Sequence, residues 1–246
     1  MIDIVRSEWT KIRSVRSTVW TLAVTALLMV GISVLLGVAI TNSGETVGSQ
    51  EAIATSLAGT VFASLSIATF GVLVVSGEYR TGSIRTTFMA VPKRLRVLIG
   101  KVVVFTPVAL VVCTVSSFAA YLLGGQLILG TTSLGDPGAL QAIFGSGLYL
   151  TAGGLFGLAL GALVRHTPGA IVSAIALMLI LPQLTSMLPG QWGATVHSYF
   201  TTNAGMEVVQ PGQNAMLGPW SGYAVYLAWV AVTLIVAAVL MRRRDA

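Results

Sequence analysis

Residues 93–129 read KRLRVLIGKVVVFTPVALVVCTVSSFAAYLLGGQLIL: four basic residues in the first nine positions, then 28 residues without a charge. About 20 predominantly apolar residues in helical form cross the hydrocarbon core of a bilayer, and a charge at the centre costs roughly 2.5–3.5 kcal/mol on insertion scales. A long uncharged run abutting a basic cluster is therefore read as a membrane span. Working outward, five further runs lack Asp, Glu, Lys, Arg and His, which gives six spans at 19–40, 56–77, 102–129, 142–164, 170–188 and 222–241. The whole composition agrees, with 55% apolar and 9% charged residues, against roughly a quarter charged in a soluble domain.

The loops set the orientation. All fourteen Lys and Arg fall before the first span, in the second and fourth loops, or after the last span, whereas the first, third and fifth loops carry only Glu45, Glu51, Asp136 and Glu207. Basic residues near span ends are retained on the cytoplasmic side, so the expectation is an all-α polytopic membrane protein with both termini cytoplasmic. One transmembrane domain is expected to fill 1–246. The first span is too long for the apolar region of a cleaved signal peptide and is expected to be retained. The net charge of +6 serves this topology and faces anionic lipid; nucleic-acid binding, which needs a basic soluble face, is excluded.

Several function classes are disfavoured. No span carries the ionisable groups that an ion-coupled transporter usually keeps in the membrane. A Walker A loop is missing, since Leu95 stands where the first glycine before Gly100-Lys101 should be. The single cysteine, Cys113, lies within an apolar run, and His166 and His197 fall on opposite sides of the membrane, so no metal site or catalytic constellation is legible. The chain is not expected to be an enzyme or to hold a cofactor itself.

Two segments outside the spans have amphipathic character. In 1–18, Ile2, Val5, Trp9 and Ile12 recur at spacings of three and four, interspersed with Arg6 and Lys11 and followed by Arg13, which describes a helix lying in the membrane interface. The loop 78–101 mixes charges with Tyr79, Ile84, Phe88, Met89 and Val91, so it is expected to pack as a short helix stopped near Pro92. Its alternative reading is an interfacial hairpin whose basic residues merely obey the topology. Gly82 suits a positive φ or a close approach, and Glu78 suits a cap or a pair with a neighbouring Arg.

Other features concern packing. Gly153, Gly157 and Gly161 form a small-residue ridge, favouring close contact within the chain over a seam between subunits. Pro107 and Pro182 are positioned to interrupt the helical ladder of their spans. The loop 189–221 holds Trp192, Tyr199, Phe200 and Trp220, which suits short interfacial or re-entrant pieces on the outer face.

Six spans, the N-terminal stretch Ser7-Glu8-Trp9-Thr10-Lys11-Ile12-Arg13-Ser14 and the loop Glu78-Tyr79-Arg80-Thr81-Gly82-Ser83-Ile84-Arg85 together resemble the permeases of ABC-2 type exporters over essentially the whole chain. The stretch Tyr199-Phe200-Thr201-Thr202-Asn203-Ala204-Gly205 is similar to a Tyr-Leu-Pro-x-x-Ala-Gly motif of that family, with Phe200 and Thr201 replacing Leu-Pro. The resemblance implies a permease in the bacterial plasma membrane. It would pair with a second permease, as a homodimer or related heterodimer, and dock on two separate ABC ATPase subunits that bind ATP and Mg. It further implies that 78–101 is a cytoplasmic coupling loop, with Glu78, Tyr79, Arg80, Thr81, Gly82, Ser83, Ile84 and Arg85 at or beside the ATPase contact. The interfacial helix bearing Val5, Trp9, Ile12 and Arg13 would lie alongside. The substrate would be amphipathic: a drug, antibiotic, peptide or lipid-like molecule. The competing functions are a non-transporting membrane receptor or assembly scaffold, and a membrane-embedded enzyme.

Overall fold

The computed structural model describes residues 2–44, 47–90, 94–212, 214 and 216–243, and for Arg85, Phe88 and Ala90 the backbone alone. Among these residues every regular element is helical. Six helical stretches are long and apolar enough to cross a membrane: Arg16–Ser43, Ser49–Thr81, Arg94–Leu129, Ala139–Val164, Thr167–Thr185 and Pro219–Arg243. Each contains most or all of one uncharged run and extends past it, and in four of the six the extension takes in charged residues, which continue a helix at a membrane interface at little cost.

The elements in chain order are α1 (Ile2–Ser14), α2 (Arg16–Ser43), α3 (Ser49–Ser56), α4 (Thr60–Thr81), α5 (Ser83–Ala90) and α6 (Arg94–Ala120). A π-helical segment, Tyr121–Leu129, continues α6, and α7 (Ala139–Val164) follows. Then come α8 (Thr167–Ile175), a second π segment Ala176–Ile180, α9 (Leu181–Thr185), α10 (Gly190–Tyr199), α11 (Thr201–Met206) and α12 (Pro219–Arg243). The second span is thus two helices, α3 and α4, and the fifth is α8 and α9 joined by the π segment.

Helix α7 is the hub, with 78% of its span buried against 22% for α2 and for α12. It packs against α4, α6, α8 and α12. Lipid tails are as apolar as leucine, so helices in a bilayer associate through close packing and hydrogen bonds rather than hydrophobic burial. A Cβ on Gly157 would lie 2.1 Å from the Ala68 carbonyl oxygen, and one on Gly71 2.0 Å from that of Gly154. Gly161 similarly faces Val72 at 2.9 Å, whereas Gly153 faces the Met178 methyl at 3.1 Å and the Tyr226 hydroxyl at 3.2 Å. The ridge of Gly153, Gly157 and Gly161 therefore packs within the chain, two of its members against α4.

Buried hydroxyls add the polar links. Ser146 Oγ on α7 lies 2.9 Å from Thr60 Oγ1 on α4 and accepts from Ser117 Oγ on α6 at 3.0 Å. Ser33 donates to the Ala120 carbonyl at 2.9 Å, where α6 passes into its π segment. The two prolines behave differently. Helix α6 runs through Pro107 without a break, while Pro182 follows the π segment of the fifth span. A helical proline leaves the carbonyl four residues earlier without its usual donor. For Pro182 that carbonyl is Met178, and Thr202 Oγ1 donates to it at 3.0 Å, while Thr201 Oγ1 donates to Leu177 at 2.8 Å.

Hydrogen bonds between distant segments sort the loops into two ends. Glu8, Lys101, Ser76, Thr167, Arg165 and Leu240 are joined at one, the basic end. Contacts of Gln50 with Pro137 and of Gln210 with Ala54 join the opposite, acidic end.

Candidate functional site

Three segments meet at the basic end: α1, the last turn of α4 and the first turns of α6. Each contributes charge, and the charges close into a ring. Glu8 Oε1 lies 2.7 Å from Lys11 Nζ and Glu8 Oε2 2.8 Å from Lys101 Nζ. Glu78 Oε1 completes the circuit, 2.7 Å from both lysine nitrogens. The Lys101 ammonium also donates to the Val74 carbonyl at 3.3 Å. Two carboxylates and two ammonium groups make the ring neutral, which is the arrangement that lets such groups leave water.

Burial is uneven around it. The side chains of Lys101 and Glu8 are 2% and 4% exposed, those of Glu78 and Lys11 12% and 37%. Partial burial works to lower the Lys11 pKa, but the Glu78 and Glu8 carboxylates outweigh it and hold the ammonium above its ordinary value of 10.5. Glu78 Oε2 is buried without a hydrogen-bond partner. The expected pairing of Glu78 with an arginine is replaced by two lysines, because Arg80 is two residues on and leaves from another side of α4.

The remaining residues of the 78–85 stretch take distinct positions. Tyr79 is half-buried, and the Arg165 guanidinium carbon sits 5.3 Å from its ring centroid. Arg80 is exposed. Thr81 Oγ1 donates to the Gly77 carbonyl at 3.0 Å and lies 3.0 Å from Ser83 Oγ. Gly82, at φ +73°, is the left-handed C-cap of α4, and its N–H donates to Tyr79 O at 3.3 Å. Ser83 then starts α5, from which Ile84 is buried at 4% exposure. Arg85 lies on α5 with its side chain outside the described residues, as does all of Pro92, the expected helix stop.

Helix α1 ends at Ser14, and after Val15 the chain re-enters helix at Arg16, so the interfacial helix is shorter than 1–18. Its apolar residues divide between two surroundings: Ile12 packs on the core, Val5 is half-buried, and Ile2 and Trp9 are exposed. Arg13 is exposed as well. The same end is tied down by Arg94 Nη1, which donates to the Met241 carbonyl at 3.2 Å, and by Arg165 Nη2, 3.5 Å from that of Leu240.

Sequence reasoning picked out Glu78 but missed Glu8, Lys11 and Lys101 as its partners. Lys101 read as a topogenic charge, and Glu8 was given no role beyond its place in the N-terminal stretch. The available signal was the acid–base pair flanking the loop, Glu78 after one uncharged run and Lys101 before the next.

At the acidic end a polar cavity of about 440 Å3 lies among α4, α7, α9, α10 and α11. His197 Nδ1 is 2.9 Å from Thr185 Oγ1 and 3.0 Å from Asn203 Nδ2. Glu207, 1% exposed, accepts the backbone N–H of Gly212 at 2.9 Å and that of Asn214, holding the turn before α12. His166, at the basic end, instead caps α8 by accepting the Gly169 N–H at 3.4 Å. Comparison with protein-family models finds no match, and no curated protein matches the chain either.

Proposed function

We propose that the chain is the permease subunit of an ATP-binding cassette exporter of the ABC-2 type, with the basic end in the cytoplasm of a bacterial plasma membrane. The observation that carries this reading is the ion-pair ring. A segment that transmits force from a soluble ATPase to membrane helices must be stiff where it joins them, since a compliant joint dissipates a conformational change. Helix α5 hangs from α4 through the Gly82 cap, and the last turn of α4 is tied by two short ion pairs, one to α1 and one to α6, which a third joins to each other. Displacing α5 would therefore move three elements together. Glu78 acts from inside this joint, while Arg80, Thr81 and Ser83, all exposed, face the ATPase.

In this reading two such permeases pair with two ATPase subunits that supply ATP and Mg, and the substrate is an amphipathic molecule. Purification of the tagged chain from native membranes in mild detergent, followed by native mass spectrometry, tests it. An assembly of two permease-sized subunits and two ATPases is expected. A chain that never retains an ATPase across gentle solubilisation conditions would leave a receptor or scaffold as the better description.

A further inference from the structure

Nothing in the coupling of an exporter to its ATPase occupies the polar cavity at the acidic end. Its volume of about 440 Å3 is within the range of ligand clefts. The inner wall lies deep, since Tyr149 stands ten residues beyond the start of α7 at Ala139, about 15 Å along the helix. The π segment of the fifth span contributes Met178 and Leu179, and such segments recur at functional sites.

Several polar groups around this space are left for a ligand. Tyr149 lines it with 3% of its surface exposed, its hydroxyl beside those of Ser64 and Thr202. Each of those two spends its own proton on a main-chain carbonyl, Val61 at 2.6 Å and Met178 at 3.0 Å. The phenol therefore receives no proton from either, and its oxygen keeps lone pairs for an incoming donor. The Gln183 amide, within the fifth span, makes no hydrogen bond among the described residues, and neither does the hydroxyl of the buried Ser198. Polar groups held without partners at membrane depth are costly, which marks them as functional.

The charge here has one sign. Among the described residues lining the cavity, Glu207 is the only acid and none is Lys or Arg. The three loops of this end carry no basic residue at all. Glu207 accepts a backbone N–H on each oxygen, from Gly212 and from Asn214, but meets no cation among the described residues. Those bonds hold the carboxylate without neutralising it. Being 1% exposed, Glu207 acts on the cavity through the bundle rather than by contact, and at low effective dielectric that attraction persists over several ångströms.

We propose that this cavity binds a small organic cation bearing at least one N–H, an alkyl- or arylalkylammonium. The N–H donates to the Tyr149 oxygen, the Glu207 carboxylate supplies the field, and Val61, Leu179 and Met206 take the apolar part. The inference rests on this cavity alone and stands whether or not the chain works with an ATPase.

The test is titration of the purified full chain, in nanodiscs of zwitterionic lipid, with benzylammonium, benzyltrimethylammonium and benzyl alcohol, read by ligand-observed NMR against empty discs. Benzylammonium is expected to bind about tenfold more tightly than the alcohol. Benzyltrimethylammonium, which keeps the charge but has no N–H, should fall between them. Glu207→Gln should bring both cations down to the level of the alcohol. Tyr149→Phe, which keeps the ring and removes only the oxygen, should weaken benzylammonium about fivefold and leave benzyltrimethylammonium unchanged. It decides the matter if the glutamine variant loses the turn before α12 and misfolds. Benzyl alcohol bound as tightly as benzylammonium, a benzylammonium affinity untouched by Tyr149→Phe, or no saturable signal above empty discs would overturn the proposal.

Discussion

Lys101 and Glu8, 93 positions apart in the sequence, meet at 2.8 Å, and both side chains are almost wholly withdrawn from solvent. Breaking such a pair from one side leaves an uncompensated buried charge, which costs about 3–5 kcal/mol. Lys101→Met is therefore expected to destabilise the chain on that scale in detergent unfolding. The double variant Lys101→Met/Glu8→Leu should recover much of the loss, because Lys11 and Glu78 still form a pair. A double variant no more stable than the sum of the single ones would show that the two residues are not coupled.

Along the α4–α7 contact, Gly157→Ala and Gly71→Ala push a methyl group into backbone 2.1 and 2.0 Å away. Backbone cannot step aside as a flexible side chain can, so each is expected to cost about 1–3 kcal/mol or more. Gly153→Ala, facing the mobile end of Met178, should be much milder. Unfolding midpoints of the three variants give the ranking directly; a Gly153 variant as damaged as the others would contradict the packing.

Replacing Thr202 with Val removes the donor to the Met178 carbonyl left open by Pro182. A buried carbonyl without a partner costs about 1–3 kcal/mol. Hydrogen exchange across residues 176–185 should accelerate in Thr202→Val, with Thr201→Val acting similarly through Leu177. Unchanged protection would mean that the break is satisfied by other groups.

Lys11 carries the alkaline limit of the joint. Its pKa in the folded state lies above the ordinary 10.5, so its stabilising contribution is fully present below that value and is lost as pH rises through the higher folded-state value. Proteolytic release of α1 is expected to rise in that alkaline window in the wild type. Lys11→Arg, which does not titrate there, should delay the release, and equal profiles for the two proteins would remove Lys11 from the anchor.

The six spans were legible because one physical quantity, the cost of charge in hydrocarbon, marks them locally. Helix ends were less so: α6 begins at Arg94 and α12 runs to Arg243, since interfacial charges do not stop a helix. Pro182 announced a break in the fifth span, whereas Pro107, an equal signal in sequence, sits in an unbroken α6. The difference is the donor pair Thr201–Thr202, 24 residues beyond the carbonyls they meet. The ring escaped for the same reason, as three of its four contacts join separate segments. Gly82 was readable because a left-handed cap is a local demand that glycine answers alone.

Arg165 shows what this economy of charge entails. It is the one non-glycine residue at positive φ among those described, closing α7 while its guanidinium stacks over Tyr79 and reaches the end of α12. Under the proposed topology, the cations that would bias a nascent chain's threading at the translocon are reused as mortar in the finished protein. Under that topology, editing them to invert the threading would also unfasten the end they sort, which places one constraint on insertion and on assembly alike.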